Sequence, residues 1–195
     1  MELIFATNNQ HKAEEVQNMV PGTIKITTLQ QAGLDIDIPE PHETLEQNAA
    51  EKGRTIFTYT GKNCFAEDTG LEVMSLNGEP GVYSARYAGE DKSSEKNIEK
   101  LLEKLQGHND RTAQFRTVIF LILDNKEFSF EGICKGTISK TLVGNSGFGY
   151  DPIFVPDGYS KTFAEMTLEE KNQCSHRKKA MDKLVAFLNQ LIINK

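Results

Sequence analysis

Four short stretches of the chain carry side chains whose type and spacing could do chemistry. The first is Thr7-Asn8-Asn9-Gln10-His11-Lys12, which follows the apolar run Leu3–Ala6 and precedes a helical pattern. A strand that ends in small and amide residues before a helix presents backbone N–H groups and the positive end of the helix dipole, and Lys12 adds a full charge one turn in. That combination suits a phosphate, although the glycine pattern and the Lys-Ser/Thr pair of a Walker loop are missing. The second is Ala66-Glu67-Asp68-Thr69-Gly70-Leu71, two carboxylates at the end of an expected buried strand. Hard oxygen ligands there suit magnesium, which takes one or two protein carboxylates and otherwise phosphate and water oxygens. Neighbouring strand residues point to opposite faces, so Glu67 and Asp68 cannot both chelate one ion unless the strand has already ended. The third is Gly144–Pro152, where Phe148 and Tyr150 lie among glycines that let a ligand approach the backbone while a ring stacks on a planar base. The fourth joins Lys171 to Ser175-His176-Arg177, planar and cationic donors able to grip a carbonyl-bearing base or a phosphate. Each stretch taken alone has a plainer reading as an ordinary cap, a capped acidic turn, a loop or a solvated helix start.

The elements that must position these residues follow from periodicity and caps. Leu3 to Ala6 reads as a strand, and Ala13, Val16, Met19 and Val20 mark one side of the helix after it. Thr23 to Leu29 is a short β-rich piece. Thr44-Leu45-Glu46-Gln47 has capping-box form and opens a helix to about Tyr59, ended by Gly61. Cys64-Phe65-Ala66 reads as a buried strand from whose end Glu67-Asp68-Thr69-Gly70 breaks away. Asn77 to Gly81 is turn chemistry, and Ser93 to Leu105 is a helix with Ile98, Leu101, Leu102 and Leu105 on one face. Thr112–Leu123 and Glu127–Ile138 read as two long strands of a hairpin. Thr167 to Glu170 is a second capping box, and a last helix from about Ser175 turns Ala180, Leu184, Phe187, Leu188 and Leu191 inward. The fold class expected is α/β with a mixed sheet.

The 195 residues fit one domain with room for two small lobes, and 38% apolar against 26% charged is ordinary for a globular chain. No apolar run reaches the length of a membrane span, and the first residues lack a secretory pattern, so a cytoplasmic location is expected. A net charge of −6 disfavours a bulk nucleic-acid or anionic-membrane binder. The charge is uneven. Asp35, Asp37, Glu40, Glu43, Glu46 and Glu51 lie in a stretch without Lys or Arg, whereas Lys171, Arg177, Lys178, Lys179 and Lys183 face only Asp182. Solvated faces explain such runs, and a metal pole and a phosphate or base pole of one site would explain them equally. Cys64, Cys134 and Cys174 are odd in number, far apart and in no metal-spaced pair, which points to reduced thiols.

Taken in order, six motifs resemble one family: Thr7-Asn8-Asn9 with Lys12, Asn48-Ala49 with Lys52, Ala66 to Leu71, Pro80 to Gly89, Gly147-Phe148-Gly149-Tyr150-Asp151-Pro152, and Ser175-His176-Arg177. The combination is similar to the inosine triphosphate pyrophosphatase (noncanonical purine NTP pyrophosphatase) family, from Ile4 to about Leu188. The resemblance implies a two-lobed α/β fold around a long bent mixed sheet with its cleft between the lobes. It also implies a homodimer, magnesium dependence, and hydrolysis of ITP, dITP and XTP to the monophosphate and pyrophosphate. Carried over motif by motif, Thr7, Asn8, Asn9, Gln10, His11 and Lys12 bind the triphosphate. Asp68 is the catalytic base and a metal-linked carboxylate, and Thr69 lies beside the substrate. Glu40 is the other metal carboxylate, with Glu43 three residues on as its competitor. Phe148, Gly149, Tyr150, Asp151, Lys171, His176 and Arg177 form the nucleotide pocket. Two motifs depart from the family pattern: Asp-Asp-Ser-Gly reads Glu67-Asp68-Thr69-Gly70, and Thr-Gly-Asn reads Thr7-Asn8-Asn9. The oxygen functions are kept in both.

The mechanism this implies has Asp68 deprotonating a water for attack on the α-phosphorus, with Lys12 and the helix N-terminus holding the departing pyrophosphate. Arg177 is expected to donate to the 6-oxo group of the base, which hypoxanthine and xanthine carry and adenine does not. Two other readings share many of these residues. One is an NTP pyrophosphatase for pyrimidine or modified nucleotides, and the other is a nucleotide-binding module that does not hydrolyse. Carboxylates beside a triphosphate have little use in a pure binder unless metal is wanted.

Overall fold

The computed structural model describes residues 1–36 and 38–193; Asp37, one of the six acids counted in the acidic stretch, lies outside the described residues. The elements in chain order are β1 (Glu2–Phe5), α1 (Gln10–Gln17), β2 (Lys25–Thr28), α2 (Leu45–Thr60), β3 (Cys64–Val73), β4 (Pro80–Gly81) and α3 (Ser94–Lys104). They continue as β5 (Thr112–Leu123), β6 (Lys126–Ile138), β7 (Phe154–Pro156), α4 (Leu168–Cys174) and α5 (His176–Ile193). The hydrogen-bonded strand order is β2-β1-β3-β5-β6-β7, with β4 on β3. β1 runs parallel to both β2 and β3, whereas the β3–β4 and β6–β7 pairs are antiparallel, so the sheet is mixed as expected.

The local chemistry explains the boundaries. Asn9 caps α1 by accepting from the Lys12 N–H, Thr44 caps α2 by accepting from the Gln47 N–H, and α2 stops at Gly61 in the left-handed region. Asp124 and Asn125 both have positive φ between β5 and β6, the two-residue turn whose twist matches an antiparallel hairpin. Thr167 and Glu170 form the reciprocal capping box of α4. One sequence expectation is corrected: the strand beginning at Cys64 does not break at Glu67 but runs on to Val73. Gly70 permits this. A Cβ there would lie 2.6 Å from the Gly81 carbonyl oxygen, so the close β3–β4 approach needs a residue without a side chain.

The chain divides into two compact units. The first comprises Met1–Asp68, Thr117–Gly132 and Arg177–Lys195, and the second Thr69–Arg116 and Ile133–His176. Each has its own core. In the first, Leu3, Phe5, Phe65, Ile119 and Leu121 pack with Val16 of α1 and with Ala180, Leu184 and Leu188 of α5. In the second, Leu71, Val73, Ile98, Leu101, Phe115, Ile153, Phe154 and Phe163 form the cluster. Among the described residues no helix is long and apolar enough to cross a membrane.

Candidate active site

Because β3 continues past Ala66, Glu67 and Asp68 face opposite sides of the strand, as the period of two requires. Their partners differ accordingly. Glu67 meets Arg177 through both carboxylate oxygens, at 2.8 to 3.1 Å, and Lys12 at 3.1 Å. Asp68 Oδ1 accepts from Lys52 Nζ at 3.2 Å, and the same ammonium donates to Glu40 Oε1 at 2.5 Å. Asp68 Oδ2 is buried with no hydrogen-bond partner among the described residues. A carboxylate oxygen left bare in the interior is costly, and it persists where a water, a metal or a substrate is to use it.

The electrostatics follow from these contacts. Burial pushes the Asp68 carboxyl above its ordinary value, with Glu40 adding to the rise, while Lys52 and Lys12 oppose it. Burial acts on Glu67 in the same direction, but the charges of Arg177 and Lys12 outweigh it and hold that carboxyl well below the usual range. Burial would lower Lys52, yet Asp68 and Glu40 together keep its ammonium form favoured.

α2 aims Lys52 by a pattern that is visible once the helix is drawn. Its buried residues are Leu45, Asn48, Ala49, Lys52, Gly53 and Ile56, a stripe at three- and four-residue spacing that contains two polar side chains. Asn48 donates to the His42 carbonyl and accepts from the His42 N–H, which fixes the segment that leads from Glu40 into α2. The acidic stretch therefore delivers Glu40 to the site, whereas Asp35, Glu43 and Glu46 are exposed.

At the start of α1, the Asn9 N–H donates to Thr7 Oγ1 and the Asn8 amide donates to the Ile36 carbonyl, so the Thr7–Lys12 turn is tied at both ends. Gln10 bonds Glu14, and His11 lies 4.0 Å from the same carboxylate on the outer face of the helix. Lys12 points back toward β3. Arg177, at the start of α5, is 1% exposed, and its guanidinium donates to Glu67 and, through Nη1, to Glu15 of α1. The guanidinium expected at the base thus also holds two buried carboxylates. Glu15 was not singled out by sequence reasoning, since a buried acid in a polar eight-residue helix carries no periodic signal.

In the second unit, the glycine loop is shaped around Asp151. The Asp151 carboxylate is buried and accepts from the Phe148 N–H at 2.9 Å and from Lys171 Nζ at 2.8 Å. Gly147, at φ 80°, leaves room for that carboxylate: a Cβ there would lie 2.1 Å from Asp151 Oδ2. Lys171 Nζ sits 5.2 Å above the half-buried Phe148 ring and at the same distance from the Phe163 ring. His176 stacks on Phe115 with ring centroids 4.6 Å apart. Of the two rings of this loop, Tyr150 is buried and its hydroxyl donates to the Ser84 carbonyl, whereas Phe148 is half-buried. Ser84 Oγ in turn accepts from the Leu71 N–H and donates to the Gly81 carbonyl, so part of the Pro80–Gly89 motif braces the strand next to half-buried Thr69.

Residues 3–187 match the model of the Ham1 family. The chain belongs to the Ham1 family. Among curated relatives, a dITP/XTP pyrophosphatase from Flavobacterium psychrophilum is 52% identical over 96% of this chain and 98% of its own length. Another from Porphyromonas gingivalis is 48% identical over 96% and 97%. Among solved structures, the Ham1 protein of Staphylococcus aureus superposes with a TM-score of 0.88 at 43% identity, covering 97% of this chain and 99% of that one. A HAM1 protein from Coxiella burnetii gives 0.89 at 35% identity, with the same coverage. The family match runs from β1 into α5 and takes in every site residue described in this section.

Proposed function

We propose that this chain is a nucleoside triphosphate pyrophosphatase that hydrolyses noncanonical purine nucleotides, dITP, ITP and XTP, to the monophosphate and pyrophosphate. The names of its curated relatives support the substrate class. The observation that carries the chemistry is Asp68, with one oxygen held by Lys52 and the other buried and unused by the protein. A general base must be held in place on one side and open to the proton it takes on the other.

In this reading Asp68 Oδ2 receives the proton of a water that attacks the α-phosphorus. The new P–O bond forms on the nucleotide, the bond to the α–β bridging oxygen breaks, and pyrophosphate departs. Lys12 and the N–H groups at the start of α1, with Thr7 to His11 around them, hold that leaving group. Lys52 keeps Asp68 and Glu40 together, and the raised Asp68 value makes the carboxylate a stronger base than an exposed aspartate. The donor set fits magnesium, a hard ion that needs only one or two carboxylates beside phosphate oxygens. Among the described residues no cluster of three or more His, Cys, Asp or Glu could hold a metal unaided. Glu40 and Asp68 would hold the ion, which when bound supplies neutralisation of charge on the phosphates.

Phe148 offers a ring face to the base, and Gly149, Asp151, Lys171, His176 and Thr69 supply the remaining contacts. Tyr150 contributes through its backbone, and Arg177 acts through Glu67. The homodimer that the resemblance implies belongs to the same reading. The test is purified protein with magnesium and a panel of ITP, dITP, XTP, ATP, GTP and pyrimidine triphosphates. Pyrophosphate release from ITP, dITP and XTP well above that from the others is expected. Preference for a pyrimidine triphosphate, or binding without turnover, would replace this reading with one of its rivals.

A further inference from the structure

Lys12 belongs to a set of four buried or half-buried charges, with Glu67, Arg177 and Glu15. Glu67 is 1% exposed at its side chain, and its Oε1 lies 3.1 Å from Lys12 Nζ while Arg177 Nη2 sits 2.8 Å from the same oxygen. Arg177 also reaches Glu15, which stands three residues after Lys12 on the same helix. Two cations and two anions balance. α1 is thereby clamped to β3 at Lys12 and to the start of α5 at Glu15. A lysine stem has four rotatable bonds, and fixing it at the moment of binding would subtract from phosphate affinity. Here the stem is fixed in advance by a carboxylate on a rigid strand, and an ammonium with three N–H groups keeps donors for an incoming oxygen.

We propose that Glu67 is a positioning residue for the phosphate subsite, acting through Lys12. The inference rests on the reading of Lys12 as a ligand of the departing pyrophosphate. Glu67 does not touch the reacting atoms, so its loss acts on binding more than on the chemical step. Glutamate rather than aspartate matters at this position: shortening the side chain by one methylene keeps the charge but draws back the oxygen that Lys12 and Arg177 share.

The experiment measures the Kd of inorganic pyrophosphate by calorimetry in magnesium buffer, the KM and kcat for ITP, and the melting temperature. The variants are Lys12→Met, Glu67→Gln, Glu67→Asp and the Lys12→Met/Glu67→Gln double. Lys12→Met is expected to weaken pyrophosphate binding about tenfold or more, the size of a lost charge-assisted contact. Glu67→Gln is expected to weaken it in the same direction, with KM rising more than kcat falls. Glu67→Asp is expected to give an intermediate loss because it keeps the buried charge, and it replaces Glu67→Gln if that variant does not fold. The double variant is expected to bind pyrophosphate no worse than Lys12→Met alone, because Glu67 has nothing left to position. If the Glu67 variants melt lower yet bind pyrophosphate as well as wild type, or more tightly, the role is structural or electrostatic and the proposal is overturned. If Lys12→Met itself leaves pyrophosphate binding unchanged, the assignment of Lys12 to the phosphates fails and the inference fails with it.

Discussion

In the proposed mechanism Asp68 works as a base at a position where burial already favours its neutral form. Lys52 resolves the conflict only in part: it holds one oxygen by an ion pair and leaves the other bare. An acid whose pKa is raised carries its charge only above that raised value. The acid limb of kcat/KM is therefore expected at a pH higher than the ordinary aspartate value of 3.8 would place it, with activity lost as pH falls through the limb. Asp68→Asn keeps the shape of the side chain and leaves Lys52 paired with Glu40, so the variant folds. Its kcat is expected to drop by about 10²- to 10⁴-fold, the usual contribution of a positioned base. Steady-state kinetics across pH on both proteins, with circular dichroism as the fold check, decides this. Near-normal turnover by folded Asp68→Asn would remove Asp68 as the base.

At the scale of elements, helices and caps were legible because they rest on local rules. Thr44, Gly61, Ser93 and the Thr167–Glu170 box sit where the sequence puts them. β3 was misread as ending early because Glu67, Asp68, Thr69 and Gly70 carry turn composition; tertiary charge partners and the approach of Gly81 keep the segment extended. The expectation that Glu67 and Asp68 serve different faces survived the error, since it rests on strand geometry. Lys52 was legible as part of a motif and as a polar residue on an apolar stripe, whereas Glu15 and the commitment of Arg177 depend on contacts 162 residues apart in the chain. The glycine loop makes a prediction at the same scale. Gly147→Ala adds a Cβ 2.1 Å from Asp151 Oδ2 at positive φ. Displacing that carboxylate loosens both the Phe148 N–H and Lys171, so the KM for ITP is expected to rise together with a stability loss of about 1–3 kcal/mol. Gly158→Ala is the control: its φ of 85° imposes the backbone strain with nothing within 4 Å of the new Cβ. Denaturant melts and KM values for the two variants separate strain from the loss of the Asp151 contacts, and an equal KM in both would show that the loop does not read the nucleotide.

For the whole molecule, the net charge of −6 is compatible with an anionic substrate because the charge is sorted. Glu40 and Asp68 share Lys52, Glu67 and Glu15 share Arg177 while Glu67 also meets Lys12, and Asp151 holds Lys171. Most of the other acids of the 35–51 stretch face solvent, as do Lys179 and Lys183 on α5. A bulk polyanion, which needs a continuous basic face, is disfavoured by that charge. The proposed mechanism has water attacking the α-phosphorus with Asp68 as base. Its most direct test is hydrolysis of ITP in water labelled with heavy oxygen, followed by mass spectrometry of both products. The label is expected in inosine monophosphate, with unlabelled pyrophosphate as the other product. Label in pyrophosphate, or release of orthophosphate as the first product, would contradict the mechanism.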